Sequence, residues 1–182
     1  MLRSLSICVA LFICLSINLF AEEAKRFAAP VMNANLKSST VGAAELTWFG
    51  DVNTALAEAR KKEQLLFLDF TGETCTNCRL NEKNVFPKEE VKKAFENHVR
   101  VSIFTDTVPE SFYKKDPGLE KREEDADANK KFQKDTCGTE ALPLYVLVKP
   151  LDGGKFEVIS TYKEGKINDV KAFVEFLSTK SK

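Results

Sequence analysis

Two cysteines separated by two residues, Cys75-Thr76-Asn77-Cys78, stand between a short apolar run and a helix-compatible segment in the stretch LLFLDFTGETCTNCRLNE. That spacing suits dithiol–disulfide exchange. A helix start carries unpaired N–H groups and a partial positive charge. Both favour a thiolate over a thiol, so Cys75 is the expected nucleophile, with a lowered pKa. Cys78 lies one helical turn on, facing inward, where it can close a ring with Cys75. The same pair could be half of a copper or zinc site, which needs a second pair of ligands. The chain has five cysteines and one histidine. Cys8 and Cys14 lie in the apolar N-terminus, and Cys137 and His98 are far apart in sequence. Neither a metal nor another cofactor is expected. A metal carrier and a non-enzymatic interaction domain, recognising partners through the charged segment 105–134, stand as the alternatives to a redox enzyme.

The elements that must position this pair follow from the apolar spacing. Residues 65–70 read as a strand, and their nearly continuous apolarity suits burial on both faces. One acid, Asp69, interrupts the run. Thr71 to Thr74 form a polar turn, and a helix carries the cysteines to about Asn84. Phe86-Pro87 breaks it, and a second helical piece follows over 88–97. Asp51 is a fitting cap for an earlier helix on which Val52, Ala55, Leu56 and Ala59 recur at helical spacing. Further strands are expected at 45–49, 99–104 and 144–148, with an edge-type strand at 156–162. Residues 105–118 read as a polar loop with two exposed aromatics, Phe112 and Tyr113. Residues 119–134 read as a charged helix with a solvated face. Asn168 is expected to cap a last helix bearing Val170, Phe173, Val174 and Leu177. The order β-α-β-α-β-α-β-β-α predicts an α/β domain over residues 45–182.

Residues 1–21 have the pattern of a secretory signal peptide: Arg3, an apolar run from Leu5 to Phe20, then Ala21 before two acids. The run is short of the roughly 20 residues that a bilayer span needs, so a retained membrane anchor is the weaker alternative. Residues 22–44 are small and polar with little periodicity and read as a flexible lead-in. The expected location is the periplasm or the exterior. With 27 basic and 27 acidic side chains among 182 residues, nothing points to nucleic acid. Past the signal, one close cysteine pair and a single Cys137 remain, which reads as function and not as a disulfide scaffold.

The strand–Cys-x-x-Cys–helix pattern, with Leu142-Pro143 before a late strand, resembles the thioredoxin superfamily. Over FLDFTGETCTNCRLNEKNVFP it is similar to the C-terminal periplasmic domain of the bacterial disulfide reductase DsbD and related exported thioredoxin-like proteins. The resemblance implies a thioredoxin-like fold, a central mixed sheet flanked by helices. It implies an exported thiol–disulfide oxidoreductase, a reductase of protein disulfides, with Cys75 attacking and Cys78 resolving. It makes Asp69 the buried acid beneath the pair and Glu82 a second acid. Pro143 matches the cis-proline beside the redox pair, and the backbone of Leu142 is expected to pair with substrate. The expected partners are disulfide-containing proteins and a separate membrane thiol donor; the protein itself is expected to be a monomer. The family's tryptophan before the first cysteine is replaced by Thr74, and no proline lies between the cysteines.

Overall fold

The computed structural model describes residues 26–28, 39–41 and 46–180. The expected signal segment 1–21, and the lead-in apart from 26–28 and 39–41, lie outside the described residues. In chain order the strands are β1 (Arg26–Ala28), β2 (Ser39–Val41), β3 (Leu46–Phe49), β4 (Leu65–Thr71), β5 (His98–Phe104), β6 (Leu144–Pro150) and β7 (Lys155–Tyr162). The helices are α1 (Val52–Lys61), α2 (Thr76–Asn84), α3 (Glu89–Phe95), α4 (Leu119–Cys137) and α5 (Val170–Leu177). The strands join in one mixed sheet in the order β1-β7-β6-β4-β5-β3-β2. At its centre β4 runs parallel to β5 and antiparallel to β6.

Alternation along β4 divides the core in two. Leu66, Leu68 and Phe70 face α1 and α4, packing with Val52, Ala55, Leu56, Ala59 and Phe132. Phe67 points the other way, into an aromatic layer with Trp48, Phe86, Phe95, Tyr145 and Phe173 beneath α2, α3 and α5. Phe67 and Tyr145 stack at 5.6 Å between centroids, and Phe86 and Phe173 stack at 6.0 Å. Helices cover both faces, which is why β4 reads as a continuous apolar run. Asp69 has the parity of Phe67 and so belongs to the aromatic side, under the helix that carries the cysteines.

Four expectations are corrected by the fold. Phe112 and Tyr113 are buried, at 7% and 6% exposure, and not exposed loop residues. A short 3-10 turn, Glu110–Phe112, folds the loop over Phe104, Val108 and Ala126, building a third core cluster. The Tyr113 hydroxyl donates to Asp125 Oδ2 at 2.7 Å, so its polar end is satisfied inside. The charged helix α4 does have a buried face, but that face is largely polar: Asp125, Asn129 and Gln133 lie inside it beside Ala126 and Phe132. Strand β7 is an edge over only part of its length, because β1 pairs with it at Lys155, Phe156 and Glu157. Asp169 and not Asn168 caps α5, accepting from the Ala172 N–H at 3.1 Å. Strands β1 and β2 also lie within 22–44, where three-residue pairings leave no periodicity to read.

Candidate active site

Strand β4 delivers the chain to the redox pair at the C-terminal end of the central sheet. Cys75 is the N-cap of α2, with extended backbone, and its Sγ accepts a hydrogen bond from the Cys78 N–H at 3.3 Å. This is the helix-start geometry that favours a sulfur anion. Cys75 is half-buried, whereas Cys78 is 1% exposed. The two are joined as a disulfide, with 5.2 Å between their Cα atoms. One sulfur is open to a partner and the other is sheltered, as two-step exchange requires.

Asp69 is 2% exposed, and its Oδ1 has no hydrogen-bond partner. Burial raises its carboxyl well above the ordinary carboxylate range, the nearby Glu82 charge raises it further, and Arg79 opposes both. Glu82 is raised as well, chiefly by burial, against the pull of Arg79 and a bond from Thr71. Arg79 Nη2 donates to Glu82 Oε1 at 2.6 Å and to Thr71 Oγ1 at 2.8 Å, while Thr71 Oγ1 donates to Glu82 at 3.0 Å. The guanidinium also stands 5.6 Å over the Phe104 ring. Asp69, Glu82 and Arg79 all line one pocket of about 490 Å³ whose apolar walls include Trp48, Phe86 and Phe112. The two acids named from the sequence are therefore brought together around a cation that the sequence reading did not single out.

The Leu142–Pro143 peptide bond is cis. Its approach is held by Gln133, fully buried on α4, whose Nε2 donates to the Ala141 carbonyl at 2.8 Å. Opposite, a Cβ placed on Gly165 would stand 3.9 Å from Pro143 Cδ, so the 163–167 loop borders the proline. That loop is tied to the redox helix by Asn81, 1% exposed. Asn81 donates to Tyr145 Oη at 2.8 Å and to the Gly165 carbonyl at 3.1 Å, and accepts from the Ile167 N–H at 3.0 Å. A buried asparagine on a helix face that ought to be apolar was the available signal for this residue.

Cys137, at the end of α4, is half-buried against the α1–α4 core. Burial pushes its thiol up to about 11, slightly offset by Lys163, which makes it a poor nucleophile at neutral pH. Among the described residues, no three His, Cys, Asp or Glu side chains gather as metal ligands.

A family model described as thioredoxin-like matches residues 47–150, more than half of the chain. Among solved structures, a thioredoxin from Thermus thermophilus is 19% identical, with 68% of this chain and 78% of that one covered at a TM-score of 0.48. The structure titled DsbH oxidoreductase is 18% identical, with 85% and 92% covered and a TM-score of 0.48. The oxidised C-terminal domain of Neisseria meningitidis DsbD is 17% identical, with 68% and 84% covered and a TM-score of 0.38. No curated protein sequence matches the chain.

Proposed function

The chain belongs to the thioredoxin-like family, and from that premise we propose that Cys75 and Cys78 are the redox pair of an exported thiol–disulfide oxidoreductase that reduces protein disulfides. The observation that carries this reading is the asymmetry of the pair: Cys75 half-open at a helix N-cap with an N–H on its sulfur, Cys78 buried behind it.

In the reduced protein the Cys75 thiolate attacks one sulfur of a substrate disulfide. The Cys75–substrate bond forms as the substrate S–S bond breaks, and the departing thiolate takes a proton from water. Cys78 then gives up its proton and attacks Cys75 Sγ. The mixed disulfide breaks, the second substrate thiolate leaves, and the Cys75–Cys78 bond closes. Two electrons have passed to the substrate. Asp69 is the acceptor for the Cys78 proton in this scheme. A carboxyl held well above its ordinary range by burial is a better base once ionised than an exposed one. Glu82 supplies the next acceptor, in the wall of the pocket that Asp69 also lines. The backbone of Leu142, ahead of the cis bond, pairs with the substrate chain. A separate membrane thiol donor returns the pair to the dithiol.

Reduction of insulin disulfides by the purified protein, with dithiothreitol as the final donor, tests the reading. Turbidity should appear sooner with wild type than with Cys75→Ser, and the pair should equilibrate near thioredoxin's potential of about −270 mV. A potential near −120 mV would make the protein an oxidant. No acceleration over dithiothreitol alone would remove the enzyme reading.

A further inference from the structure

The turn between β4 and the nucleophile has one backbone bond of its own, from the Cys75 N–H to the Gly72 carbonyl, and its other bonds come from outside it. They come from Asp106, two residues beyond the end of β5 and 32 positions from Thr74. Asp106 Oδ1 accepts from the Glu73 N–H at 2.9 Å, and Oδ2 accepts from the Thr74 N–H and the Thr74 hydroxyl, each at 2.8 Å. A fourth bond, from the Thr107 N–H at 2.7 Å, orients the carboxylate from its own side. Burial acts to raise this carboxyl, but the bonds from Thr74, Thr107 and Glu73 outweigh it and hold the group below its ordinary range. The anchorage is firm, because the Thr105 N–H bonds the Thr71 carbonyl at 3.0 Å just beneath. Both amides ahead of Cys75 are thus fastened to the end of the neighbouring strand. Cys75 itself turns back to bond the Gly72 carbonyl at 3.3 Å.

Gly72 shows how close the approach is. A Cβ there would lie 2.8 Å from Asp106 Oδ2 and 2.9 Å from Cγ, closer than real contacts allow. Its backbone is not left-handed, so the glycine is required for room and not for conformation. Two features therefore converge on the Asp106 carboxylate, which stands just past the end of β5: a glycine that leaves it room, and a hydroxyl where the family has tryptophan.

We infer that Asp106 is the positioning residue for the nucleophile: by clamping the 72–74 turn it sets Cys75 at the N-cap of α2, where its sulfur receives the Cys78 N–H. This rests on the reading of Cys75 as the attacking thiol. The clamp does not touch the reacting sulfurs. It acts by fixing where the Cys75 backbone enters the helix, and so the alignment on which thiolate stabilisation depends.

Two variants loosen the clamp while keeping its charge. Gly72→Ala pushes the carboxylate aside with a methyl group, and Thr74→Val removes the hydroxyl at an exposed position. The readout is the pH midpoint of Cys75 alkylation in the reduced protein, followed on the Cys75 peptide by mass spectrometry. Gly72→Ala should raise the midpoint by about half a unit toward the free-thiol value of about 8.5, and so lower the thiolate fraction about threefold at pH well below the midpoint. Thr74→Val should move it the same way by less. The double variant should be no worse than Gly72→Ala alone, because both act through one carboxylate. If Gly72→Ala does not fold, Thr74→Val decides alone. Unchanged or lowered midpoints, a loss of melting temperature without a midpoint shift, or additive effects in the double variant would each overturn the inference. Alkylation needs no substrate, so a protein that fails to reduce insulin would refute the proposed activity and leave this test standing.

Discussion

Asp69→Asn removes a charge that the fold holds at a cost, and its consequences for stability and for catalysis have opposite signs. An unfolded aspartate loses its proton near pH 3.9. Buried beneath α2 with one oxygen unpaired, folded Asp69 keeps its proton to a higher pH, mainly through desolvation and then through the Glu82 charge. Between those two pKa values the native state binds more protons than the unfolded state. The contribution of Asp69 is therefore fully present below the unfolded pKa and is lost as pH rises to the folded one. Each pH unit in that window removes about 1.4 kcal/mol. For a domain of this size, about 1.4 kcal/mol corresponds to roughly 4–6 °C in melting temperature. Asparagine keeps the shape and has no such slope. Melting curves of oxidised wild type and Asp69→Asn should lie closest near pH 4 and separate as pH rises to 8, the variant melting higher. In single-turnover reduction of a labelled disulfide, the same variant should form the mixed disulfide at near the wild-type rate and release it more slowly. A melting difference that is constant from pH 4 to pH 8, together with an unchanged release rate, would show that Asp69 neither titrates in this window nor accepts the proton.

Other substitutions test neighbouring parts of the site. Arg79 lowers the pKa of both Asp69 and Glu82, so Arg79→Gln should shift the pH profile of mixed-disulfide release upward; a downward shift would contradict the assigned coupling. Asn81→Ala leaves Ile167 N–H, the Gly165 carbonyl and Tyr145 without their buried partner, and should cost about 2–4 kcal/mol in denaturant unfolding. A cost below 0.5 kcal/mol would mean that water replaces the side chain freely. Cys137→Ser should retain most disulfide reductase activity, since burial pushes that thiol up to about 11. Near-total loss in a folded variant would point to a relay of three cysteines.

The parts legible in the sequence are those in which one local pattern implies one environment. Strand β4 reads correctly because a run of apolar residues with helices on both sides needs no knowledge of partners. The same holds for the N-cap at Asp51, whose side chain accepts from the Thr54 N–H three residues on. Where burial is achieved through polar side chains, the pattern misleads. Asp125, Asn129 and Gln133 on α4 look solvated in sequence, yet each is buried and has a protein partner: Tyr113, the Phe104 carbonyl and the Ala141 carbonyl. Phe112 and Tyr113 look exposed among lysines and acids because what covers them comes from Phe104 and α4. Asn168 and Asp169 are both competent caps, and spacing does not separate neighbours. Within the site, Cys75 and Cys78 declare themselves by their two-residue spacing before a helix. The network that surrounds them does not. Asp106 reaches Thr74 across 32 positions, and Arg79 reads as an ordinary surface cation until its contacts with Thr71, Glu82 and Phe104 are seen together.

The measurement that most directly tests the division of labour between the cysteines is covalent trapping by the two single variants. Cys75 is half-open at the helix N-cap and Cys78 is shut behind it. If Cys75 attacks and Cys78 resolves, Cys78→Ser should accumulate mixed disulfides with protein substrates, seen on non-reducing gels as bands that dithiothreitol removes. Cys75→Ser should accumulate far fewer, because its remaining thiol is buried. Equal trapping by both variants, or none by either, would contradict the assignment of Cys75 as the nucleophile.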